Sequence, residues 1–347
     1  MQSTWLVTGG AGFIGSNFVR LALTENWCDR LIVLDALTYA GNMENLLPFL
    51  GNDDRLVFVR GDIGNAELVD GLLHTHKPSL IYHFAAESHV DRSIQDPAPF
   101  VLTNVYGTQV LLAAARRHNV PRFLHVSTDE VYGTLQLGSA ERFHEKRPYQ
   151  PKSPYAASKA ASDMLALAMH HTYGMDVVIT NCSNNYGPYQ FPEKLIPLMI
   201  MNALAGESLP VYGDGLYVRD WIHVHDHCRA VRLVAQQGRS GETYCIGSDN
   251  EQPNIAIVKK ILQLTGRDES LIRYVQDRPG HDRRYAIDST KIQTELGWHP
   301  QIPWEDGLRS TVQWYKENGG WLARIKSGAF RDYYETSYRA RLEKAEV

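Results

Sequence analysis

The chain has few cysteines, no large excess of either charge and no long hydrophobic run. None of its four cysteines belongs to a C-x-x-C pair, which disfavours zinc and dithiol chemistry and favours a reducing, cytoplasmic setting. The net charge of -4 gives no reason to expect nucleic acid or an anionic membrane as a partner. Because the sequence shows neither a basic-then-apolar leader nor a run of about eighteen apolar residues, we expect no signal peptide and no membrane span.

What the sequence does have is an ordinary globular composition, with 44% hydrophobic and 21% charged residues over a length of 347. Its first half alternates two kinds of segment. Short apolar runs predict strands at 5–8, 31–34, 56–60, 80–84, 123–127 and 177–181. The stretches between them predict helices at 16–26, 66–76, 103–118 and 155–173. This alternation is typical of an α/β fold with a Rossmann-type, doubly wound parallel sheet, in which ligands bind at the carboxyl edge of the strands.

Three glycines follow the first predicted strand at the spacing of a dinucleotide-binding turn. Gly9, Gly12 and Gly15 stand between a strand and a helix, where a tight backbone turn can bring a pyrophosphate to the helix N-terminus. Asp35 ends the second strand, and a carboxylate there would accept hydrogen bonds from ribose hydroxyls and repel a 2′-phosphate. The sequence therefore predicts NAD rather than NADP.

Two further strand ends carry acidic residues. Asp62 and Ile63 are predicted to flank the adenine, and a helix N-cap at Asp62 is an equally open interpretation. The fifth strand ends in Thr128, Asp129 and Glu130, at the edge where ligands of such sheets lie. The alternative is that Thr128 and Asp129 only cap the next turn. Neighbours in a straight strand point to opposite faces, so both acids can serve one substrate only if the chain bends there.

Tyr155 and Lys159 stand four residues apart at the start of a predicted helix, so they share one helix face. The nearby ammonium is expected to lower the pKa of the tyrosine and make its phenolate a base near neutral pH. The lysine is also expected to hold the nicotinamide ribose. Downstream of a Rossmann glycine turn, this pair points to an NAD-dependent enzyme.

Together these motifs resemble the extended short-chain dehydrogenase/reductases and, among them, the family of dTDP-glucose 4,6-dehydratases. The likeness runs from about residue 4 to about residue 330. It rests on segments 8–15, 85–93, 128–130, 155–159, 184–195, 218–221 and 277–285. The resemblance implies NAD as the cofactor, dTDP-glucose as the substrate, and a homodimer in which helices 103–118 and 155–173 pair across a two-fold axis into a four-helix bundle.

The resemblance also implies a hydro-lyase that converts dTDP-glucose to dTDP-4-keto-6-deoxyglucose. Tyr155 would take the proton of the C4 hydroxyl while hydride passes from C4 to NAD. Glu130 would then remove the C5 proton, Asp129 would protonate the departing C6 hydroxyl, and hydride would return to C6. One carboxyl must start protonated and the other ionised, a split that burial and like-charge repulsion can produce.

The site residues implied by the resemblance form three sets. The catalytic set is Thr128, Asp129, Glu130, Tyr155 and Lys159. The cofactor set is Gly9, Gly12, Phe13, Ile14, Gly15, Asp35, Leu37, Thr38, Asp62, Ile63, Ala85, Ala86, Thr103, Tyr155, Lys159 and Asn185. The substrate set is Ser88, Thr128, Asn184, Lys194, Leu195, Pro210, Tyr212, Arg219, Asn254, Arg278 and His281. Arg219, His281 and Lys194 would hold the diphosphate, although a plain surface ion pair of Arg219 with Asp220 stays open.

Three alternatives compete with this interpretation. A UDP-hexose 4-epimerase, or another nucleotide-sugar enzyme of the same class, would share the Tyr155–Lys159 pair but would have no use for Asp129 and Glu130. A non-catalytic NAD-sensing protein or a purely structural Rossmann scaffold would have no need of any of the four. The set therefore favours the dehydratase.

After residue 180 the strand–helix rhythm changes. Asn184–Pro192 is predicted to be a loop lining a cleft, and Asp226 to cap the helix that follows a strand at 221–224. A strand is also expected at 209–212, and helices at 195–205, 254–265 and 308–317. Strand alternation would put His223 and His225 on one face, but no third ligand is evident and we expect no metal.

These segments suggest a division of the chain. We expect an NAD-binding Rossmann domain over residues 1–182, which the chain rejoins around 218–250. A smaller mixed α/β substrate-binding domain is expected over 183–217 and 251–330. The basic and aromatic segment 327–341 is predicted to be a packed terminal helix or a subunit contact, within a tail assigned to 331–347.

Overall fold

A computed structural model describes residues 3–326 of the chain. Its strands are β1 (Thr4–Thr8), β2 (Arg30–Asp35), β3 (Leu56–Arg60), β4 (Leu80–His83), β5 (Arg122–Thr128), β6 (Val177–Cys182), β7 (Asn184–Tyr186), β8 (Leu209–Tyr212), β9 (Val218–His223), β10 (Thr243–Ile246), β11 (Glu251–Pro253) and β12 (Ile272–Val275). Its α-helices are α1 (Phe13–Thr24), α2 (Ala66–His76), α3 (Val90–Gln95), α4 (Ala98–Phe100), α5 (Thr108–Arg117), α6 (Pro154–Tyr173), α7 (Leu195–Ala205), α8 (Val224–Gln237), α9 (Asn254–Thr265), α10 (Thr290–Leu296), α11 (Trp304–Glu317) and α12 (Gly319–Lys326). The segment 327–341 and the tail at 331–347 lie outside the described residues.

The central sheet of the described chain has seven strands in the order β10-β6-β5-β4-β1-β2-β3, and every neighbouring pair is parallel. The chain runs outward from β1 to β3, then crosses to β4 on the other side of β1 and runs outward again. Strands β1 and β6 are buried along their whole length, so they read as continuous apolar runs. The predicted Rossmann-type sheet is therefore confirmed, and its order reverses at β1 and β4, where ligands of such folds bind.

A smaller unit of mixed strands and helices lies beyond β6. It contains a three-stranded sheet, β11-β9-β7, and a two-stranded parallel sheet, β12-β8. A second hydrophobic core holds it together, and α11 contributes Leu308, Val312 and Tyr315 to it, at helical spacing. Between β9 and β11 the chain returns to the central sheet, where β10 pairs with β6.

Two predicted helix caps, at Asp226 and at Asp62, are wrong. Asp226 does not cap α8, because that helix begins at Val224 and the His223 ring accepts the N–H of His225. The Asp226 carboxylate instead accepts the backbone N–H groups of Gln301 and Ile302, at 3.0 and 2.8 Å. The side chain therefore ties α8 to a distant loop, a contact that local sequence does not reveal.

At the third strand, Asp62 caps no helix. Asn65 is the N-cap of α2 and accepts the N–H of Leu68, while Asp62 accepts the N–H of Gly64 at 2.7 Å within a tight turn. The predicted loop 184–192 also differs from expectation, since it opens with the short strand β7, which pairs with β9.

The histidine cluster is likewise not a strand face. His223 ends β9, but His225 lies in the first turn of α8, where its Nε2 is 3.2 Å from Asn17 Oδ1. No group of three or more His, Cys, Asp or Glu side chains that could hold a metal occurs in the part of the chain that the structure describes.

A long apolar helical run crosses the middle of the molecule. It passes from α4 through a π-helical segment, Val101–Gly107, into α5. By length and composition alone, Ala98–Arg117 is able to cross a membrane, and 44% of its most apolar window is buried inside the protein. Length and hydropathy are therefore weak evidence for a membrane span here.

Candidate active site

One cleft of about 400 Å³ opens at the carboxyl ends of the central strands, between the sheet and the smaller unit. Every residue of the three predicted sets lines this cleft except Leu37. The fold thus brings together residues that are far apart in the sequence, from Gly9 to His281. Their individual roles stay predictions.

The glycine-rich turn forms one end of the cleft. Gly9 has a φ of 70°, and a Cβ there would lie 2.6 Å from the backbone N of Ala85. A Cβ on Gly15 would lie 2.2 Å from the carbonyl oxygen of Gly9, so both positions exclude a side chain. A Cβ on Gly12 would meet only that oxygen, at 3.3 Å, and would otherwise enter the cleft.

This end of the cleft fits the diphosphate of a dinucleotide. Helix α1 begins directly after Gly12, and within residues 3–326 no side chain caps it. Its first backbone N–H groups therefore face the space that a Cβ on Gly12 would fill. Amides at a helix N-terminus favour a bound anion.

Asp35 lies at the end of β2, on the wall of the same cleft. Its Oδ2 accepts the N–H of Ala11 and its Oδ1 accepts the N–H of Leu37, both at 2.8 Å. Burial raises the pKa of this carboxyl, and the two N–H groups oppose the rise. Leu37 has a left-handed φ of 55° and does not line the cleft, so its contact with the cofactor stays a prediction.

The two acids lie where the chain leaves the sheet. Strand β5 ends at Thr128, and a short 3-10 helix, Asp129–Tyr132, follows. Thr128 Oγ1 accepts the N–H of Glu130 at 3.3 Å, so the threonine caps this turn and also lines the cleft. The bend that both acids require is therefore present, and both carboxyls line one cavity.

The surroundings of the two acids differ. Burial, followed by the charge of Glu130, raises the pKa of Asp129 well above its usual value. Burial also raises the pKa of Glu130, but the cations Arg278, Lys194 and Arg219 oppose that rise. Asp129 is therefore the carboxyl of the pair that holds a proton more strongly, and Glu130 the one that holds it less strongly.

Tyr155 stands in the first turn of α6. Ser153 caps this helix by accepting the N–H of Ala156 at 3.1 Å, and Pro154 occupies its first position. Lys159 lies one turn later, also against the cleft, and its Nζ donates to the carbonyl oxygen of Val126 at 2.9 Å. Local capping therefore fixes where the tyrosine and the lysine point.

The expected lowering of the tyrosine pKa by Lys159 is wrong for the protein without its cofactor. Burial and the charge of Glu130 raise the pKa of Tyr155 well above its usual value. Burial also lowers the pKa of Lys159 to about 8. Tyr155 is thus protonated, and action as a base requires further positive charge at the site.

Basic side chains line the opposite end of the cleft. Arg219 is only 6% exposed and donates to the carbonyl oxygens of Val218 and Asp282, both at 2.8 Å. A surface ion pair with Asp220 is therefore wrong as an explanation of this arginine. Lys194 Nζ donates to the carbonyl oxygen of Ser88 at 2.9 Å.

His281 lies flat against Tyr217, with ring centroids 3.7 Å apart. Its Nδ1 is 2.7 Å from Asp277 Oδ1. Burial and the nearby charges of Arg278 and Arg219 lower the pKa of His281 to about 3. The imidazole is therefore neutral at physiological pH, and its one N–H is directed from Nδ1 to the Asp277 carboxylate.

Sequence reasoning missed Asp91, which joins the two halves of the cleft. Arg278 Nη1 donates to its Oδ1 at 2.7 Å, and the Tyr212 hydroxyl donates to its Oδ2 at 3.1 Å. Although burial opposes it, Arg278 lowers the pKa of Asp91. The residue lies inside segment 85–93 of the resemblance, but its role depends on partners more than 100 positions away.

Glu193 was also missed. It lines the cleft, is 3% exposed, and burial raises its pKa to about 7. Its Oε2 lies 3.6 Å from Arg92 Nε. A glutamate that directly follows the predicted loop 184–192 gives no local signal that it will be buried.

A Rossmann sheet, a glycine turn at a bare helix N-terminus and a buried Tyr–Lys pair define a short-chain dehydrogenase/reductase. The family model for GDP-mannose 4,6 dehydratase matches residues 6–311. A dTDP-glucose 4,6-dehydratase of Xanthomonas campestris is 55% identical over 95% of this chain and 98% of its own length. The chain therefore belongs to the GDP-mannose 4,6 dehydratase family and, within it, to the dTDP-glucose 4,6-dehydratases.

Solved structures agree with this assignment. The dTDP-glucose 4,6-dehydratase DesIV of Streptomyces venezuelae, crystallised with NAD, has a TM-score of 0.90 and 53% identity, covering 93% of this chain and all of that chain. A UDP-glucose 4-epimerase of Thermus thermophilus, also with NAD, has a TM-score of 0.84 but only 30% identity, over 91% and 99% of the two chains. The fold is common to both enzymes, and the sequence is nearer to the dehydratase.

Proposed function

We propose that this protein is an NAD-dependent hydro-lyase that converts dTDP-glucose to dTDP-4-keto-6-deoxyglucose. The observation that carries the proposal is the turn at the end of β5, which brings the carboxyl groups of Asp129 and Glu130 into the same cleft as Tyr155. Exchange of a C4 configuration needs only the tyrosine, whereas removal of water needs an acid and a base in addition.

The residues divide the proton transfers among them. Tyr155 takes the proton of the sugar C4 hydroxyl as C4 is oxidised to a ketone, which acidifies the proton on C5. Glu130 removes that C5 proton, and Asp129 gives its own proton to the C6 hydroxyl, which leaves as water. Once C6 has been reduced, Glu130 returns a proton to C5. No net oxidation results, because the same reducing equivalent leaves C4 and arrives at C6.

The cofactor end of the cleft holds NAD in this proposal. Bound NAD, with its cationic nicotinamide, supplies the oxidant at C4 and the reductant at C6. The amides after Gly12 receive the diphosphate, Asp35 receives the ribose hydroxyls, and Lys159 orients the second ribose. Arg219 and Lys194 receive the diphosphate of the substrate, and His281 joins them as an imidazolium, a form that the bound anion favours.

We further propose a cytoplasmic homodimer. The apolar side chains of Val101, Leu102, Tyr106 and Met164 are between 53% and 63% exposed, on the helical run 98–117 and on α6. Pairing these two helices with their copies across a two-fold axis would cover this face in a four-helix bundle. Light scattering would test it: Leu102→Asp is expected to give monomers, while a dimer that persists would contradict the proposed interface.

The substrate-binding role of the smaller unit, residues 183–217 and 251–330, is part of the same proposal. Its support is that Lys194, Tyr212 and Arg278 all line the cleft from this unit. The Rossmann unit, residues 1–182 with the return at 218–250, supplies the cofactor end.

Incubation of the purified protein with dTDP-glucose, and separately with UDP-glucose, tests the reaction. Mass spectrometry is expected to show loss of one water from dTDP-glucose without added reductant. An unchanged mass accompanied by a new galactose isomer would contradict the dehydratase and favour an epimerase.

A further inference from the structure

A buried carboxylate lies behind the catalytic pair, on the side away from the cleft. Asp163 is 0% exposed and stands one helical turn after Lys159. Its Oδ2 accepts hydrogen bonds from Ser127, Tyr149 and Asn181, at 2.8, 3.0 and 3.3 Å. Three donors on one oxygen hold this side chain in a single orientation.

The other oxygen of this carboxylate reaches the catalytic lysine through a histidine. Asp163 Oδ1 is 3.1 Å from His125 Nε2, and Lys159 Nζ is 3.4 Å from the same ring nitrogen. The ammonium and the carboxylate therefore both lie against one nitrogen of a buried imidazole. Burial lowers the pKa of His125 to about 4, so this ring is uncharged.

The other titratable groups that face Lys159 carry no charge near neutral pH. On β6, burial raises the pKa of the Cys182 thiol to about 12. On β4, burial holds the pKa of His83 well below its usual value, and on α6 itself Tyr155 stays protonated. On the turn after β5, Asp129 favours its protonated form.

We propose that Asp163 is the counter-ion of Lys159, a positioning residue that keeps the ammonium charged and directed at the cleft. A fully buried ammonium is costly unless an opposite charge compensates it, and Asp163 is the charged carboxylate in this position. The Val126 carbonyl fixes the direction of the ammonium but supplies no charge. The inference rests on the proposed function, in which Lys159 holds the cofactor and assists Tyr155.

The first consequence of the proposal is that loss of the Asp163 charge changes the pH dependence of NAD binding and of turnover. The pKa of Lys159, about 8, already lies below that of a free lysine, and the negative charge of Asp163 raises it against the effect of burial. Removal of that charge must lower this pKa further. Functions that need the ammonium are lost as pH rises through its pKa, so they would be lost at a lower pH.

Asp163→Asn is the variant of choice, because its amide oxygen can still accept from the three donors. We would measure the dissociation constant of NAD and kcat/KM for dTDP-glucose across neutral and alkaline pH. The alkaline midpoint of both profiles is expected to fall by about 1 pH unit or more. Asp70→Asn, which removes a surface carboxylate paired with Arg117, should leave both midpoints in place. An unchanged midpoint in a folded Asp163→Asn protein would overturn the proposal.

A double-mutant cycle tests the same pair without the cofactor and without turnover. Thermal midpoints of the wild type, Asp163→Asn, Lys159→Met and the double variant would be compared at a slightly acidic pH, where both groups are charged. Asp163→Asn is expected to lower the midpoint by several degrees in the wild type and by less than half as much in the Lys159→Met background. Equal falls in the thermal midpoint in both backgrounds would overturn the assignment of Asp163 as the counter-ion of Lys159. If the wild type failed to dehydrate dTDP-glucose, the proposed function would fall, while this cycle would still decide the inference.

Discussion

The glycine-rich turn and the acid pair lie at the ends of β1 and β5, two strands of one sheet, yet they are built by different means. At the glycine turn the backbone itself is the binding surface, and a Cβ on Gly15 would lie 2.2 Å from a carbonyl oxygen. At the acid pair the functional groups are side chains, and their protonation states depend on burial and on three cations from the other half of the chain.

This difference explains why the two regions respond to different perturbations. The turn depends on shape, so that an added methyl group should damage it while a change of charge should not. The acid pair depends on electrostatics, so that an isosteric change of charge should abolish its chemistry and leave the fold unchanged. Substitutions can therefore separate cofactor binding from elimination.

Glu130→Gln should produce the largest effect. Loss of the base at C5 is expected to lower kcat for formation of the 4-keto-6-deoxy product by about 10²–10⁴-fold, with little change in the dissociation constant of NAD. Steady-state kinetics and calorimetry would measure the two quantities. Glu141→Gln, at an exposed glutamate, serves as the control. Near wild-type turnover in Glu130→Gln would contradict the role given to this residue.

Gly15→Ala should give the converse result. Because its Cβ would collide with the Gly9 carbonyl, NAD affinity is expected to fall by about 10²-fold, or roughly 2.7 kcal/mol. Gly71→Ala is the matched control, since that exposed helical position has no atom within 4 Å of the added Cβ. The control should bind NAD normally and gain about 0.5–1 kcal/mol of stability. Normal NAD affinity in Gly15→Ala would contradict the claim that the glycine turn depends on shape, whereas the acid pair depends on charge.

Asp91→Asn tests the substrate end. Arg278 would lose its charged partner, and we expect KM for dTDP-glucose to rise by about 10-fold with a smaller change in kcat, as for a charged hydrogen bond of about 1.5–3 kcal/mol. Asp54→Asn, at an exposed aspartate, should leave KM unchanged. A rise in the dissociation constant of NAD, with KM for dTDP-glucose unchanged, would contradict the assignment of Asp91 to the substrate end of the cleft.

Asp35→Asn should have the smallest effect. Here the cofactor end does use charge, and the amide would disturb the two backbone hydrogen bonds to the carboxylate. We expect the affinity for NAD to fall about 2–10-fold. The ratio of the affinities for NAD and NADP, measured by binding of both dinucleotides, is expected to become smaller. An unchanged preference would show that Asp35 only stabilises the loop.

The same contrast separates what the sequence predicts from what it does not. The Gly9–Gly15 turn, the strands and the helices at 66–76, 195–205 and 254–265 follow from local spacing and apolar periodicity, and the structure has them. The Tyr155–Lys159 face follows from helical geometry in the same way. These features depend on neighbours within a few residues.

Features that depend on distant partners were not predictable. Asp226 looks like a cap but binds the loop at 301–302, and Asp91 meets Arg278 across 187 positions. The pKa of Tyr155 moves opposite to expectation, because burial outweighs the nearby ammonium. Burial and long-range contacts arise only when the whole chain folds.

Turnover of dTDP-glucose in deuterated water tests the central claim most directly, since the claim is that a carboxylate removes the C5 proton before water leaves. Glu130 exchanges that proton with solvent and returns a deuteron. Mass spectrometry is expected to show a product that has lost one water and carries one carbon-bound deuterium. A product without carbon-bound deuterium, or a sugar nucleotide of unchanged mass, would contradict the account.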